Sequence, residues 1–415
     1  MRFILTIFFF LSSLILLANT FVVDQSGQLK SIATAISKAN NGDTIFVMPG
    51  IYHEGNMIIQ KSITIIGKSY PVIDGELQHE IFTIAAKHVV IEGFYFKNTG
   101  RSSMNDLAAI KGLDADYLIA RKNIFENTFF GIHLSNSNNT IVENNQLTAS
   151  AEHEYQSGNG IHLWKCTNAK IINNTIKGHR DGIYFEFVTK SLIKANHSED
   201  NLRYGLHFMF SHDDDYEDNT FKNNGAGVAV MYSVNVKMLR NNFEQNWGSS
   251  SYGLLLKDIR DSRVIQNIFK ANTIGIYMEG TSRTQFENNL FQQNGWAVKL
   301  QASCDDNVFL KNNFIANTFD IATNGTLVLN KLENNYWDKY QGYDLNKDGI
   351  GDVPFHPVNL YAMIVEQIPV AVMLWRSFLV YLLDKAERVM PAITPIELKD
   401  NKPLMKPYDL FSRHL

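Results

Sequence analysis

Three successive repeats open with Gly182, Gly205 and Gly227: GIYFEFVTKSLIKANHSEDNLRY (182–204), GLHFMFSHDDDYEDNTFKNNGA (205–226) and GVAVMYSVNVKMLRNN (227–242). Each glycine opens an apolar-x-apolar strand and is followed 14 positions later by an asparagine. A repeat of about 22 residues leaves no room for a helix, and an alternation of period two is typical of β-strands. We therefore predict an all-β fold, a single right-handed parallel β-helix.

The repeat extends from Ala109 to Trp337 and keeps its glycine-to-asparagine offset in seven units. The pairs are Gly131 and Asn145, Gly160 and Asn174, Gly182 and Asn196, Gly205 and Asn219, Gly227 and Asn241, Gly253 and Asn267, and Gly275 and Asn289. We expect these asparagines to form a ladder, in which each side chain bonds the next one and the backbone of the turn.

The overall composition fits one elongated body, because a repeat array of 415 residues grows by adding rungs. The formal net charge is −4 and basic residues are not clustered, so nucleic acid is not expected as a partner. The two cysteines, Cys166 and Cys304, lie six repeats apart. At ~4.8 Å per rung they are too far apart for a disulfide, and we expect free thiols.

Five segments follow from these patterns. The apolar run within residues 1–20 indicates a signal peptide and export across one membrane. Residues 21–43 form an N-terminal capping segment with an amphipathic helix over Leu29–Asn40. The β-helix spans residues 44–340, and an Asp-rich loop follows over residues 341–360. Residues 361–415 form a C-terminal helix followed by an extended tail that contains several prolines.

One outward column of the predicted β-helix carries soft metal ligands. Counting two and four residues after each opener places three histidines and two methionines on one exposed strip: His133, His162, His207, Met209 and Met231. Imidazole with thioether favours copper, especially Cu(I), over calcium or magnesium. Insertions at 150–159 and 247–252 each precede an opener, and the first, which contains His153, should border the strip.

The Asp-rich loop offers a different ligand set. Asp344, Asn346 and Asp348 occupy every second position of the loop, and Gly349 follows them. Together with Asp352 they provide the oxygen ligands of a candidate calcium site. Phe355 stands at the twelfth position where an EF-hand has glutamate, so the loop is not an EF-hand. It resembles the short calcium loops of thrombospondin type-3 repeats, and an Asx-rich turn without an ion is the alternative.

The apolar stretch Ile368–Leu383 is too short to span a bilayer, and a charged residue, Arg376, interrupts it. We predict a docking helix there, with contacts from Trp375, Arg376, Phe378, Tyr381 and Leu382.

A carbohydrate-active enzyme is the main alternative, since many parallel β-helices act on polysaccharides. Such chemistry needs paired carboxylates or a carboxylate with a base on the outer face. The candidates are Asp213–Asp215, Asp181 with Glu186, and Asp305 with Asp306. The aspartate triplet falls in a corner, where solvated turn residues are expected.

The C-terminal motifs resemble the NosD family, periplasmic accessory proteins of nitrous oxide reductase maturation. The resemblance rests on residues 335–344, 348–354, 386–391 and 402–407, and with the repeat array it covers nearly all of the chain after the signal peptide. It implies a periplasmic protein that is not an enzyme and acts with the permease and ATPase of an ABC transporter. It further implies that copper comes from a lipoprotein chaperone and serves the copper–sulfur centre of the reductase.

Overall fold

The computed structural model describes residues 18–102, 104–325, 329–389 and 398–409. The predicted signal peptide therefore lies outside the described residues except for its last three positions, and so does part of the predicted extended tail. Nearly all of the predicted β-helix can be compared with the sequence-based expectations.

Three parallel sheets of 14, 12 and 13 strands wind into one β-helix, which confirms the predicted fold class. Sheet 1 contains Thr20–Val23, Thr44–Val47, Thr64–Gly67, Val90–Glu92, Ile119–Arg121, Ile141–Glu143, Lys170–Ile172, Leu192–Lys194, Asp215–Glu217, Lys237–Leu239, Arg263–Ile265, Gln285–Glu287, Val308–Leu310 and Lys331–Glu333. Sheet 2 contains Met57–Ile59, Phe82–Ile84, Ala108–Leu113, Phe130–Ser135, Ile161–Trp164, Asp181–Glu186, Tyr204–Met209, Ala226–Met231, Leu254–Lys257, Ile274–Glu279, Trp296–Leu300 and Phe319–Thr323. Sheet 3 contains Ile51–Tyr52, Val72–Asp74, Tyr95–Lys97, Ile124–Glu126, Gln146–Thr148, Thr175–Lys177, His197–Glu199, Thr220–Lys222, Asn242–Glu244, Ile268–Lys270, Leu290–Gln292, Asn313–Ile315 and Tyr336–Trp337.

The small residue that opens each repeat is required by the distance between neighbouring rungs. A Cβ atom at Gly205 would lie 2.7 Å from the carbonyl oxygen of Gly227, the opener of the next rung. No real side chain tolerates that distance, so a larger residue would push the rungs apart. Inside, the apolar residues of all three sheets stack into one continuous core.

The predicted asparagine ladder is present and longer than expected. The ladder runs from Asn123 to Asn335, and from Asn145 onward each amide oxygen accepts from the backbone N–H and the side-chain Nδ2 of the preceding asparagine. A second buried ladder, which was not predicted, runs along another corner. Its members are Asn201, Asn224, Asn246, Asn272, Asn294 and Asn317.

The N-terminal end is closed by helix α1 (Ile32–Lys38), which confirms the predicted cap with shorter bounds. Ile32, Ala35 and Ile36 bury its apolar face, and the Glu54 carboxylate accepts from two backbone N–H groups of its first turn. Strand Thr20–Val23 pairs with Thr44–Val47, so sheet 1 begins before residue 44.

The C-terminal region differs from the single helix predicted over Ile368–Leu383. Helix α2 (Leu360–Gln367), a 3₁₀ helix (Pro369–Leu374) and helix α3 (Phe378–Val389) follow one another. Pro369 lacks the N–H that would continue α2, and the positive φ of 63° at Arg376 separates the last two elements. None of the described helices is both long and apolar enough to span a bilayer.

The last described residues form a closing layer at the end of the β-helix. Asp400 bridges to Leu332 in sheet 1, and Leu404 bridges to Tyr336 in sheet 3. Leu398 is fully buried in the main core. The tail was predicted to be extended, and the structure adds that its described part caps the solenoid.

Candidate functional site

The predicted column of histidines is confirmed by the strand register of sheet 2. His133, His162, Tyr184 and His207 lie directly opposite one another on four successive strands. Their ring centroids are 4.6, 4.7 and 4.8 Å apart in that order. The structure thus brings His133 and His162 together, whereas Tyr184 separates His162 from His207.

The two methionines form a second pair on the same face. Met209 and Met231 are register partners on neighbouring strands, and Met209 lies two residues after His207. The hydroxyl of Tyr184 donates to Met209 Sδ at 3.8 Å, and burial raises the pKa of that hydroxyl to about 12. Tyr184 is therefore a neutral donor at neutral pH.

The strip is less exposed than predicted, and this part of the expectation was wrong. His133 and His207 are only 7% and 6% exposed. The cover comes from the aromatic residue just before the opener, because Phe130 packs on His133 and Tyr204 packs on His207. The prediction of exposure rested only on the residues after each opener, whereas these two aromatic residues precede it.

The 150–159 insertion borders the histidine column, as predicted, and its side chains contact histidines beside it. Asn159 contacts His162, with its Nδ2 3.2 Å from His162 Nδ1. Ser157 Oγ lies 3.2 Å from Nδ1 of His179, whose pKa is lowered to about 4 by complete burial. His153 itself is exposed at the tip of the insertion.

The contacts of Asn159 determine which nitrogen of His162 carries the proton. Arg180 donates to Asn159 Oδ1 at 3.1 Å, so the amide nitrogen must face His162. Nδ1 of His162 then accepts, and its proton is on Nε2. Burial, together with the neighbouring His133 and Arg180, lowers the pKa of His162 well below its usual value, so the ring is neutral.

Across the described ranges, no group of three or more His, Cys, Asp or Glu side chains is arranged to hold a metal ion. A copper site with three protein ligands would therefore need methionine sulfur beside imidazole. The two thiols do not provide an alternative, because Cys166 and Cys304 are both buried and unpaired.

The carboxylates of the predicted calcium loop bond the loop's own backbone. Asp344 accepts from the N–H groups of Lys347, Asp348 and Gly349, and Asp352 accepts from that of Leu345. Asn346 donates to Asp348 at 3.0 Å. These contacts are those of the Asx-rich turn, and calcium binding at Asp344, Asn346, Asp348 and Asp352 stays a prediction.

Asp214 departs from the expectation for the aspartate triplet, because it is fully buried rather than solvated. Its Oδ1 accepts from the backbone N–H of Ser191 at 2.6 Å, and its Oδ2 has no hydrogen-bond partner among the described residues. Desolvation raises the pKa of this carboxyl to about 8. A group kept protonated in the core serves packing rather than acid–base chemistry on the surface.

We expect Asp214→Asn to stabilise the protein at neutral and higher pH. The unfolded carboxyl ionises near 3.9 and the folded one near 8, so the stability contributed by Asp214 is largest below about pH 4 and falls as the pH rises toward 8. An amide removes this loss and keeps the acceptor for Ser191, for a gain of roughly 1–3 kcal/mol at pH 8. Urea unfolding of the variant and the native protein at pH 4 and pH 8 measures this difference in the free energy of unfolding. The exposed neighbour serves as control: Asp213→Asn should give no gain, and an equal gain there would contradict the explanation.

The predicted docking residues lie at the C-terminal end of sheet 2. Trp375 packs against Phe319 and Tyr361, and it is 37% exposed. Beyond it, Phe378, Tyr381 and Leu382 of α3 are largely exposed, while Glu366 of α2 pairs with Lys299 of sheet 2 at 2.8 Å. The structure thus fixes an apolar surface to the same side of the β-helix that carries the histidines and methionines.

The sequence is similar to one family of known proteins and to two relatives. A family described as "Periplasmic copper-binding protein (NosD)" matches residues 145–348. A protein of Stutzerimonas stutzeri named "Probable ABC transporter binding protein NosD" is 25% identical over 401 residues, covering 90% of this chain and 89% of that one. A protein of the same name from Pseudomonas aeruginosa is 26% identical over 385 residues, covering 88% and 89%.

Two of the solved structures with a similar fold are carbohydrate enzymes. A GH87 α-1,3-glucanase from Streptomyces thermodiastaticus superposes with a TM-score of 0.58 at 13% identity, covering 74% of this chain and 65% of that one. An alginate lyase superposes with a TM-score of 0.57 at 12% identity, covering 77% and 85%. At such identities the likeness shows the β-helix fold alone.

Proposed function

We propose that this chain, which is NosD-like, is a periplasmic accessory protein that handles copper during assembly of the copper–sulfur centre of nitrous oxide reductase. In this proposal it acts with the permease and ATPase of an ABC transporter, receives copper from a lipoprotein chaperone, and is not an enzyme. The family description supports copper and the periplasm, and the names of both relatives support the transporter.

The pairing of Met209 with Met231, two residues after His207 along the strand, is the observation that carries the proposal. Neighbouring strands lie ~4.8 Å apart and residues i and i+2 lie ~6.5 Å apart, so the three side chains can reach one ion. Two thioethers and an imidazole are soft ligands that suit Cu(I). We assign copper as cargo to this set, with His162 and His133 as a further imidazole pair two and three rungs from His207.

Titration with Cu(I) against a competing chelator tests this site. The variant His207→Gln, Met209→Leu, Met231→Leu preserves side-chain size and should bind at least about 100-fold more weakly, since outer-shell changes alone cost roughly 10–100-fold. The matched control replaces a thioether that is 83% exposed and lies in the C-terminal 3₁₀ helix, Met373→Leu, and should bind normally. Unchanged stoichiometry and affinity in the triple variant would remove the assignment.

For the transporter, we propose that the exposed apolar face of α3 docks on the permease. Phe378 and Tyr381 are 73% and 56% exposed, and an apolar surface of this kind marks an interaction site. α2 anchors this face on Phe319, whose strand is four rungs from that of Met231, or ~19 Å. Copper held at the methionines would thus lie near the docked end.

We expect Phe378→Glu with Tyr381→Glu to abolish co-purification with the permease from solubilised membranes, because two charges would enter an apolar interface. The control residue is Ile58, which lies at the other end of sheet 2 and is as exposed as Tyr381. The variant Ile58→Glu should leave co-purification intact. Full recovery of the complex with the double variant would place the contact elsewhere. Neither change alters a buried position, so loss of folding is not expected.

The alternative is a secreted carbohydrate-binding or carbohydrate-active β-helix. Asp181, one of its candidate carboxylates, is 1% exposed and so is not presented to a polymer on the surface. Binding of an oligosaccharide by a protein that ignores Cu(I) would favour this alternative over the copper proposal.

A further inference from the structure

We infer that Asp181 orients His207 by accepting its Nδ1 proton, which leaves the lone pair on Nε2 and makes His207, rather than His162, the imidazole that first receives copper. The copper part of this inference rests on the proposed function. The orientation of the ring does not, because it concerns the metal-free protein.

Asp181 and His207 form a buried pair whose facing atoms have no other hydrogen-bond partner among the described residues. They are 1% and 6% exposed, and Asp181 Oδ2 lies 3.8 Å from His207 Nδ1. In the described part of the chain, Asp181 Oδ2 and both ring nitrogens of His207 lack a hydrogen-bond partner. A buried polar atom without a partner destabilises the fold, because it has lost its hydrogen bonds to water and gained none in return. A closure of about 1 Å brings the pair to hydrogen-bond distance and satisfies two of the three atoms.

The carboxylate is held in place from its other side. Asp181 Oδ1 accepts from the backbone N–H of Tyr204 at 3.3 Å. Arg203 Nε lies 3.8 Å from the same oxygen, and Glu154 of the insertion lies 3.9 Å from the Arg203 guanidinium. Asp181 therefore cannot turn away from His207 without losing these contacts, and the positive charge of Arg203 balances its own.

His162 has the opposite arrangement in the same column. Its Nδ1 accepts from Asn159, whose orientation is fixed by Arg180, so its proton is on Nε2. A metal binds the nitrogen that carries no proton, and that nitrogen of His162 is already occupied by an amide. A carboxylate behind the ring of His207 instead leaves Nε2 free and makes it a stronger donor, as second-shell carboxylates do at metal sites.

The two tautomers can be read from one spectrum of the copper-free protein. With ¹⁵N-histidine labelling at about pH 8, well above the ordinary histidine pKa, the ring nitrogens report which one carries the proton. His207→Gln and His162→Gln assign the two sets of signals. We expect Nδ1–H for His207 and Nε2–H for His162.

Substitutions at Asp181 then test the cause. Asp181→Ala should convert His207 to Nε2–H or to a mixture and leave His162 unchanged, whereas Asp181→Asn keeps an acceptor and should retain Nδ1–H. In the Cu(I) titration, Asp181→Ala should bind roughly 10–100-fold more weakly, and Asp181→Asn should recover most of the affinity. The thermal transition of the Asn variant shows that the fold is kept.

The inference is overturned if His207 carries its proton on Nε2 in the native protein, or if its tautomer is the same in Asp181→Ala. Equal losses of copper affinity in the Ala and Asn variants would reduce Asp181 to a structural role and overturn it as well. The expected tautomers in a protein that binds no Cu(I) would refute the proposed function, while the orienting role of Asp181 would stand.

Discussion

Replacement of Asn219 by alanine is expected to lower the free energy of unfolding by about 4 kcal/mol, one of the two largest effects that we predict for a single substitution. The Asn219 amide oxygen accepts from the N–H and Nδ2 of Asn196, and its Nδ2 donates to Ile193 O and Asn241 Oδ1. The site is 1% exposed, so water cannot replace these bonds without entering the core. Alanine leaves the Asn196 N–H without an acceptor and leaves a cavity between two rungs.

Urea unfolding, followed by circular dichroism, measures this change. The matched control is Asn223→Gly on an exposed corner, where one hydrogen bond to Asp200 is lost and glycine suits the φ of 51°. We expect less than about 1 kcal/mol there. Similar losses at the two positions would show that the ladder contributes no more than an ordinary surface asparagine.

The ladder and the columns could be predicted from the sequence because both depend on a constant period. Once the offset from Gly182 to Asn196 recurs, the residue after each glycine is defined as facing inward and the next as facing outward. His133, His162 and His207 fell into one column for this reason. The second ladder had an equally regular signal, because its first five asparagines each stand 19 positions after an opening glycine, but only the asparagines 14 positions after the openers were considered.

The burial of the site could not be predicted from the period, because the residues that cover it do not recur in every rung. Phe130 and Tyr204 are the first residues of their strands, just before the openers, and Asn159 ends the longer of the two insertions. Asp181 was considered only as a surface carboxylate. Its contact with His207 crosses from one rung to the next and depends on side-chain direction rather than on spacing.

The C-terminal cap was also not predicted, because it joins residues that are 65 positions apart. Asp400 is fully buried, and its Oδ2 accepts from the N–H and Nδ2 of Asn335 and from Nε1 of Trp337. The carboxylate thus takes the place of the next asparagine in the ladder. The prolines of the tail predicted extended backbone but carried no information on where it packs.

Asp400→Ala is expected to release this cap, with a loss of about 4 kcal/mol in the stability of the last rungs, because three buried donors lose a charged acceptor at once. In a solenoid each rung depends on its neighbours, so the end should unfold locally before the whole. Hydrogen exchange should therefore rise over Leu398–Tyr408 and at Trp337, while the amides near Asn219 keep their protection.

The isosteric variant separates the ladder contact from the mere presence of a side chain at position 400. Asp400→Asn retains one oxygen acceptor for Asn335 but loses the charge, and its amide faces the backbone N–H of Lys402, which now donates to Asp400 Oδ1. We expect a loss of roughly half that of the alanine variant. If exchange at Trp337 is unchanged in Asp400→Ala, then Leu398 and the bridges to Leu332 and Tyr336 suffice to hold the tail, and Asp400 does not stabilise the end of the ladder.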